Sequence, residues 1–271
     1  MKTRILVAAV GLPLLLVIVL VLPSLATAIL VAAMCGLAAY ELLFGAGFLH
    51  HVRVLVYTIV AAVLVCLWSW LSLDRALGSA IVLLYLTALF CEMLGAHTKL
   101  KFRSVCAALF AALAIPYLLG ALIRLRCMDH GEFYILVAFL LTMVPDSGAY
   151  FVGRALGKRK LAPIISPNKT VEGAIGGTLS GVAAMLLYAL VLQLLFGFTV
   201  NYLYAIIYGI LGSLGSILGD LSFSVIKRQA KIKDYGNLLP GHGGILDRFD
   251  STIVVAPLVE LLLLVIPFAV K

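Results

Sequence analysis

Long apolar stretches separated by short polar breaks run the length of this chain, and the pattern predicts helices. Nearly continuous apolar runs lie near 5–22, 25–44, 52–73, 77–96, 104–123, 134–153, 172–197, 202–224 and 251–270. A bilayer core is crossed by roughly 20 apolar helical residues, so these runs predict nine transmembrane helices in an all-α, polytopic membrane protein. Irregular backbone cannot face lipid, where its N–H and C=O groups would go unsatisfied. The polar breaks therefore belong at the interfaces, and the two longest are 154–171 and 225–250.

Composition agrees: 64% of residues are hydrophobic and only 12% are charged, a balance no water-soluble domain shows. Lys2, Arg4, the apolar run and Ala26-Thr27-Ala28 imitate a secretory signal. The run from Ile5 to Leu22 exceeds the usual length of such a region and another span follows at once, so the segment is expected to be retained. Lys and Arg collect on the cytoplasmic side of short loops. With the N-terminus inside, 16 of the 20 fall there, leaving Arg75, Arg124, Arg126 and Lys271 outside. Both long loops then face the cytoplasm. This bias and attraction to anionic lipid account for the net charge of +8, and no nucleic-acid partner is expected. The five cysteines are scattered singly without metal-ligand spacing and read as small buried apolar residues. Residues 1–130 are mostly Leu, Val and Ala, an N-terminal region of low motif content, whereas 131–271 holds nearly all the polar clusters and reads as the catalytic region.

Ionisable groups inside spans cost roughly 3 kcal/mol each on insertion scales and prompt a functional hypothesis. Six acids qualify: Glu41, Glu92, Asp146, Glu172, Asp220 and Glu260. Glu41 and Glu172 sit at span ends and read as solvated or helix-terminal residues, while Glu92 and Glu260 lack polar neighbours in sequence and stay undecided. Asp146 and Asp220 lie in polar stretches near the cytoplasmic ends of their spans. At helical spacing Ser216, Asp220, Ser224 and Lys227 share one face, with an interhelical hydrogen bond as the alternative reading of Asp220. Gly212, Gly215 and Gly219, like Gly173, Gly177 and Gly181 on the preceding span, predict close helix packing.

The loop that follows carries Lys227, Arg228, Lys231 and Lys233, then "PGHGGILDRFD", residues 240–250. Successive glycines let backbone N–H groups converge on an anion, and Lys and Arg add charge-assisted donors. Asp247 and Asp250, one helical turn apart, suit a hard divalent cation of the kind that accompanies phosphates. The combination points to phosphoryl or nucleotidyl transfer at the membrane surface.

Ser224, Lys227-Arg228, Lys233-Asp234, Gly236, Leu239-Pro240, His242-Gly243-Gly244-Ile245 and Asp247-Arg248-Phe249-Asp250 resemble, position for position, the motif of phosphatidate cytidylyltransferases, also called CDP-diacylglycerol synthases. The stretch "PDSGAYFVGRALGKRKLAPIISPNKTVEGAIGG", 145–177, also resembles that family; the first 130 residues do so only in being hydrophobic. The resemblance implies conversion of CTP and phosphatidate to CDP-diacylglycerol and pyrophosphate in phospholipid biosynthesis, at a bacterial cytoplasmic membrane. It implies a divalent cation, usually Mg2+, held by Asp220 and Asp247, with room for a second cation such as K+. Asp146 and Asp250 are expected in weaker metal or supporting roles. Lys169, Lys227, Arg228 and Arg248 are expected to contact phosphates, with Ser224 and the backbone of 241–244, including Gly243 and Gly244, as donors. His242 is expected to shape the glycine loop or touch a phosphate, because a phosphate monoester is mostly unprotonated at neutral pH and needs no general base. Besides CTP, phosphatidate and membrane lipid, the resemblance is compatible with a homodimer. A kinase acting with CTP on a polyprenol would share this chemistry; a transporter would need a path open to both sides, whereas the polar loops gather on one.

Overall fold

The structure, a computed structural model, describes residues 2–71, 75–96, 100–238 and 243–271. Helices occupy the places the apolar runs predict. They are α1 (Lys2–Leu20), α2 (Ser24–Tyr40), α3 (Val52–Leu71), α4 (Arg75–Gly95), α5 (Phe102–Leu109), α6 (Ile115–Leu119), α7 (Ala121–Cys127), α8 (Gly131–Leu156), α9 (Val171–Phe196), α10 (Tyr202–Gln229) and α11 (Leu246–Val265). Among the described residues, seven helical stretches are long and apolar enough to cross a membrane, from Ser24–Gly45 through Tyr202–Gln229. The architecture is that of an all-α multi-pass membrane protein. The predicted nine spans divide differently at the ends: α11 opens with Asp247, Arg248 and Asp250 and also carries Glu260, which makes it more polar than the seven.

The chain forms two compact units, residues 1–132 with 227–249, and residues 133–226 with 250–271. In the first, α2 packs on α3 through small residues: Ala28, Ala32, Cys35 and Ala39 are buried, as are Ala61, Ala62, Val65 and Cys66. Thr58 Oγ1 and Tyr85 Oη, 3.0 Å apart, tie α3 to α4. The run predicted as a single helix over 104–123 is one helical stretch, Phe102–Cys127, whose regular α-helical bonding has breaks at a π-helical turn, Phe110–Ala114, between α5 and α6 and again between α6 and α7. Pro116 and Gly120 lie at these breaks, where one lacks an N–H and the other has no side chain to pack. Arg126 Nε donates to the carbonyl of Val19 at 2.8 Å, so a residue expected only to mark the outer side satisfies an orphan carbonyl at the end of α1. A second π-helical turn, Glu41–Gly45, continues α2. Cys91, Cys106 and Cys127 are exposed, contrary to the expectation of buried cysteines; only Cys35 and Cys66 are buried.

In the second unit α8, α9, α10 and most of α11 pack through glycine. A Cβ on Gly177 would lie 2.7 Å from the Pro145 carbonyl, one on Gly209 2.5 Å from Val182 Cα, and one on Gly219 2.8 Å from the Asp250 carbonyl. The glycine stripes are helix contacts, as their spacing predicts. Two short antiparallel ribbons add to the helices. Strands β1 (Lys160–Ala162) and β2 (Ser166–Thr170) make a hairpin of the loop expected at 154–171, with Lys160 opposite Thr170 and a register irregularity before the Ala162–Ser166 pair. Strands β3 (Thr199–Val200) and β4 (Ala269–Val270) pair where the last run was expected to continue as helix to 270. Pro267 accounts for the difference: it has no N–H to donate and holds residue 266 out of the helical region.

Substituting Gly209→Ala places a methyl group against the α9 backbone and should lower stability by about 1–3 kcal/mol, seen as a lower thermal midpoint in detergent. Gly95→Ala, whose Cβ meets nothing within 4 Å, should leave the midpoint where it is or raise it.

Candidate active site

In the second unit the hairpin fixes one side of a cavity. Thr170 ends β2 and caps α9, its Oγ1 accepting from the amide of Gly173 at 3.1 Å. Glu172, in the first turn of α9, accepts from the amides of Lys158 (3.0 Å) and Arg159 (3.2 Å). A carboxylate at a helix N-terminus is favoured by the helix dipole, and this one ties the hairpin's entry strand down, as its helix-terminal reading implied. Lys169 on β2 then reaches α10, where its ammonium pairs with Asp220 Oδ2. The other Asp220 oxygen accepts from Ser224 Oγ at 3.1 Å, one turn further along the same helix. Ser216, one turn the other way, is fully buried and donates to Asp146 Oδ1 on α8 at 3.4 Å. Asp250, at the α11 boundary of this unit, is buried and accepts from the amide of Ser251 at 2.7 Å.

Of these residues Asp146, Lys169, Thr170 and Asp220 border a cavity of about 500 Å3 lined by α8, the hairpin, α9 and α10. Asp146, Arg154, Ser166, Lys169, Thr170 and Asp220 supply its polar wall, while Pro145, Ala149, Ala174 and Ile217 supply apolar surface. A cation-bearing polar end beside an apolar wall can receive a phosphate joined to an acyl-bearing body. Arg154 was read only as part of the inward charge bias; it lies on the same face of α8 as Tyr150, whose hydroxyl accepts from its Nη1 at 3.1 Å.

In the first unit the residues 227–249 wrap around Asp247. Its Oδ1 accepts from Lys227 Nζ at 2.8 Å, and its Oδ2 accepts from the amides of Tyr235 (2.8 Å) and Gly244 (3.0 Å). The Asp247 side chain is 2% exposed and that of Lys227 12%. The ammonium also lies 5.5 Å from the centroid of the Tyr235 ring, a cation–π contact. Gly243 adopts φ +83°, the left-handed region that favours glycine, and its Cα faces Asp247. The backbone donors expected to face a phosphate are therefore partly committed within the loop: Gly244 N–H goes to Asp247. Arg228 and Arg248 are both exposed, on the last turn of α10 and the first of α11. His242 lies outside the described residues.

Glu41 was missed. Expected to be solvated or helix-terminal, it is buried at 4% exposure in the π-helical turn after α2. Its two oxygens accept from the amides of Ile245 (2.9 Å) and Leu246 (2.8 Å). No sequence pattern joins positions 204 residues apart; the only signal was an acid within an apolar run. Glu92 is the opposite case, 3.9 Å from an exposed Arg53.

Among the described residues no group of three or more His, Cys, Asp or Glu side chains is placed to hold a metal ion alone. Mg2+, however, commonly takes one or two carboxylates and completes its octahedron with water and substrate phosphate. Asp146 and Asp220 both line the cavity and are all-oxygen donors, which fits that demand. Asp247 has three of about four acceptor positions filled, so its Oδ1 retains capacity.

A model of the cytidylyltransferase family matches residues 2–266. The chain belongs to the cytidylyltransferase family. It is 46% identical over 154 residues to the phosphatidate cytidylyltransferase of Bacillus subtilis (strain 168), an alignment covering 56% of each chain. The corresponding protein of Staphylococcus saprophyticus is 40% identical over 197 residues, 72% of each chain. That of Staphylococcus haemolyticus is 35% identical over 273 residues, 97% of this chain and 99% of the relative. The Bacillus alignment thus spans little more than half of that relative's length.

Removing Lys227 strands a buried carboxylate, so Lys227→Met should destabilise the protein by about 3 kcal/mol. In Asp247→Asn the amide oxygen can still accept from Tyr235 and Gly244, and the neutral side chain leaves no charge to strand when Lys227 is also replaced. The double variant should then lose less than the sum of the two, a coupling measurable by a denaturation cycle in mixed micelles.

Proposed function

We propose that the protein is a phosphatidate cytidylyltransferase, converting CTP and phosphatidate to CDP-diacylglycerol and pyrophosphate in the membrane. The observation that carries this reading is the cavity in which Lys169 and Asp220 meet beside an apolar wall, in a chain whose family membership extends over nearly its whole length. A lipid phosphate oxygen attacks the α-phosphorus of CTP in line, and the bond to the β-phosphate oxygen breaks as pyrophosphate leaves. Lys169 and Lys227, with Arg228 and Arg248, neutralise the charge on the phosphates, which lowers the barrier if they are in place before the charge develops. Ser224 donates to Asp220 and keeps that carboxylate's orientation. No side chain need take a proton from the nucleophile, since the second pKa of a phosphate monoester is about 6.

Asp220 and Asp247 are our candidates for holding a divalent cation, with Asp146 and Asp250 in supporting roles. When bound, Mg2+ supplies Lewis-acid neutralisation of the polyphosphate, and a second cation such as K+ is compatible with the same oxygen-rich chemistry. The membrane arrangement we favour has nine spans with the N-terminus and the loops at 154–171 and 225–250 in the cytoplasm of a bacterium, and a homodimer is part of the same reading.

Purified protein incubated with labelled CTP, phosphatidate and Mg2+ should form a labelled liponucleotide. Asp220→Asn and Asp247→Asn should each abolish that product while the protein remains folded and membrane-inserted; near wild-type rates in either would overturn the carboxylate assignment. Cysteines introduced at 160 and 235 should react with an impermeant reagent from the cytoplasmic side alone. Labelling from opposite faces would refute the span count between them.

A further inference from the structure

We propose that Glu41 is a positioning residue for cytidylyl transfer, holding the backbone of the loop that presents Asp247; this rests on the catalytic reading of Asp247 given above. The amides of residues 244, 245 and 246 point at the N-terminal end of α11, where no carbonyl of the helix can receive them. Gly244 donates to Asp247, and Ile245 and Leu246 donate one to each oxygen of Glu41. The helix start is thus clamped by two carboxylates, one from its own first turn and one from a distant segment.

Three glycines are shaped to this contact. A Cβ on Gly244 would collide with the Glu41 carboxylate, and one on Gly236 would lie 2.8 Å from Glu41 Oε1. On the π-helical turn itself, a Cβ on Gly45 would collide with the carbonyl of Tyr235, the residue whose amide donates to Asp247. Gly236 and Gly244, two fixed positions of the motif, are therefore explained by an acid that the motif does not contain. A π-helical turn carries Glu41 there, and such single turns recur at functional sites. The same side chain holds residues 245 and 246 and lies under 236 and 244, so moving it moves both flanks of Asp247. Its two oxygens are taken by the amides of Ile245 and Leu246, neither of which is assigned to a phosphate.

The test uses the full-length protein in detergent, without metal or nucleotide for the first measurement. Glu41→Gln keeps the shape but turns one acceptor into a donor facing an amide. Hydrogen–deuterium exchange of peptides covering 243–249 should quicken about tenfold or more, the loss of one charge-assisted bond, with exchange in α3 unchanged. In the loaded enzyme kcat should fall on the order of 100-fold, the cost of a small misplacement at a reacting centre, with KM for phosphatidate little altered. Gly236→Ala, which keeps the acid and displaces it, should give the same two changes and serves if Glu41→Gln does not fold. Unchanged exchange and kcat in the variants would overturn the proposal, as would rapid exchange throughout α2 and α3, which would mark a role in folding alone. Fast local exchange with wild-type kcat would also overturn it. An active Asp247→Asn enzyme would instead remove the reading on which the proposal rests, and the exchange result tells the two failures apart.

Discussion

A carboxylate shut away from water must be met by donors or it cannot remain in the fold, and the 227–249 segment is organised around that requirement. Asp247 is almost wholly buried and receives an ammonium and two amides. Glu41 is buried as deeply and receives two more amides. A segment rich in glycine has little side-chain packing to fix it, and its conformational entropy is high. Here the order comes instead from five charge-assisted hydrogen bonds, which are stronger than neutral ones. Three of them satisfy donors at the start of α11, so the polar cost of the helix end and that of the buried acids offset one another.

The second unit solves a different problem with the same economy of residue types. Lipid-facing helices gain little from burying apolar surface on each other, because lipid is equally apolar, and close backbone approach must supply the attraction. Gly177 against the Pro145 carbonyl, Gly209 against Val182 and Gly219 against the Asp250 carbonyl provide it. The consequence for the site is geometric. Helices α8 and α10 come near enough for Ser216 to donate to Asp146, and the hairpin lies near enough for Lys169 to pair with Asp220. A methyl group at Gly209 or Gly219 would act on the site through helix separation.

The helices were legible because each carries its own signal, an apolar run of nearly constant length. Glycine spacing likewise announced where helices would touch, and the spacing of Ser216, Asp220, Ser224 and Lys227 placed them on one helix, α10. Three features were not legible, each for a physical reason. The hairpin β1–β2 is too short and polar to show alternation, and Pro163 and Pro167 read as loop. The end of the last helix was overrun because Ile266 and Phe268 continue the apolar run although Pro267 stops the helix. Glu41 was misread because its partners are backbone amides, and amides leave no trace in residue identity. In the glycine loop, likewise, the Gly244 N–H goes to Asp247, a partner that residue identity does not announce.

That assignment also shows why the basic residues here are lysines where they meet the acids. Lys169 on Asp220 and Lys227 on Asp247 are both single-ammonium contacts. An ammonium is a compact charge on a flexible stem, whereas a guanidinium would grip both carboxylate oxygens in a planar fork. With a lysine on one oxygen, Asp247 keeps the other for Tyr235 and Gly244, and Asp220 keeps the other for Ser224. Each acid is thereby neutralised and oriented by different groups. A change in the partner of one oxygen does not by itself remove the donors on the other. The arginines Arg228 and Arg248 sit instead in exposed positions.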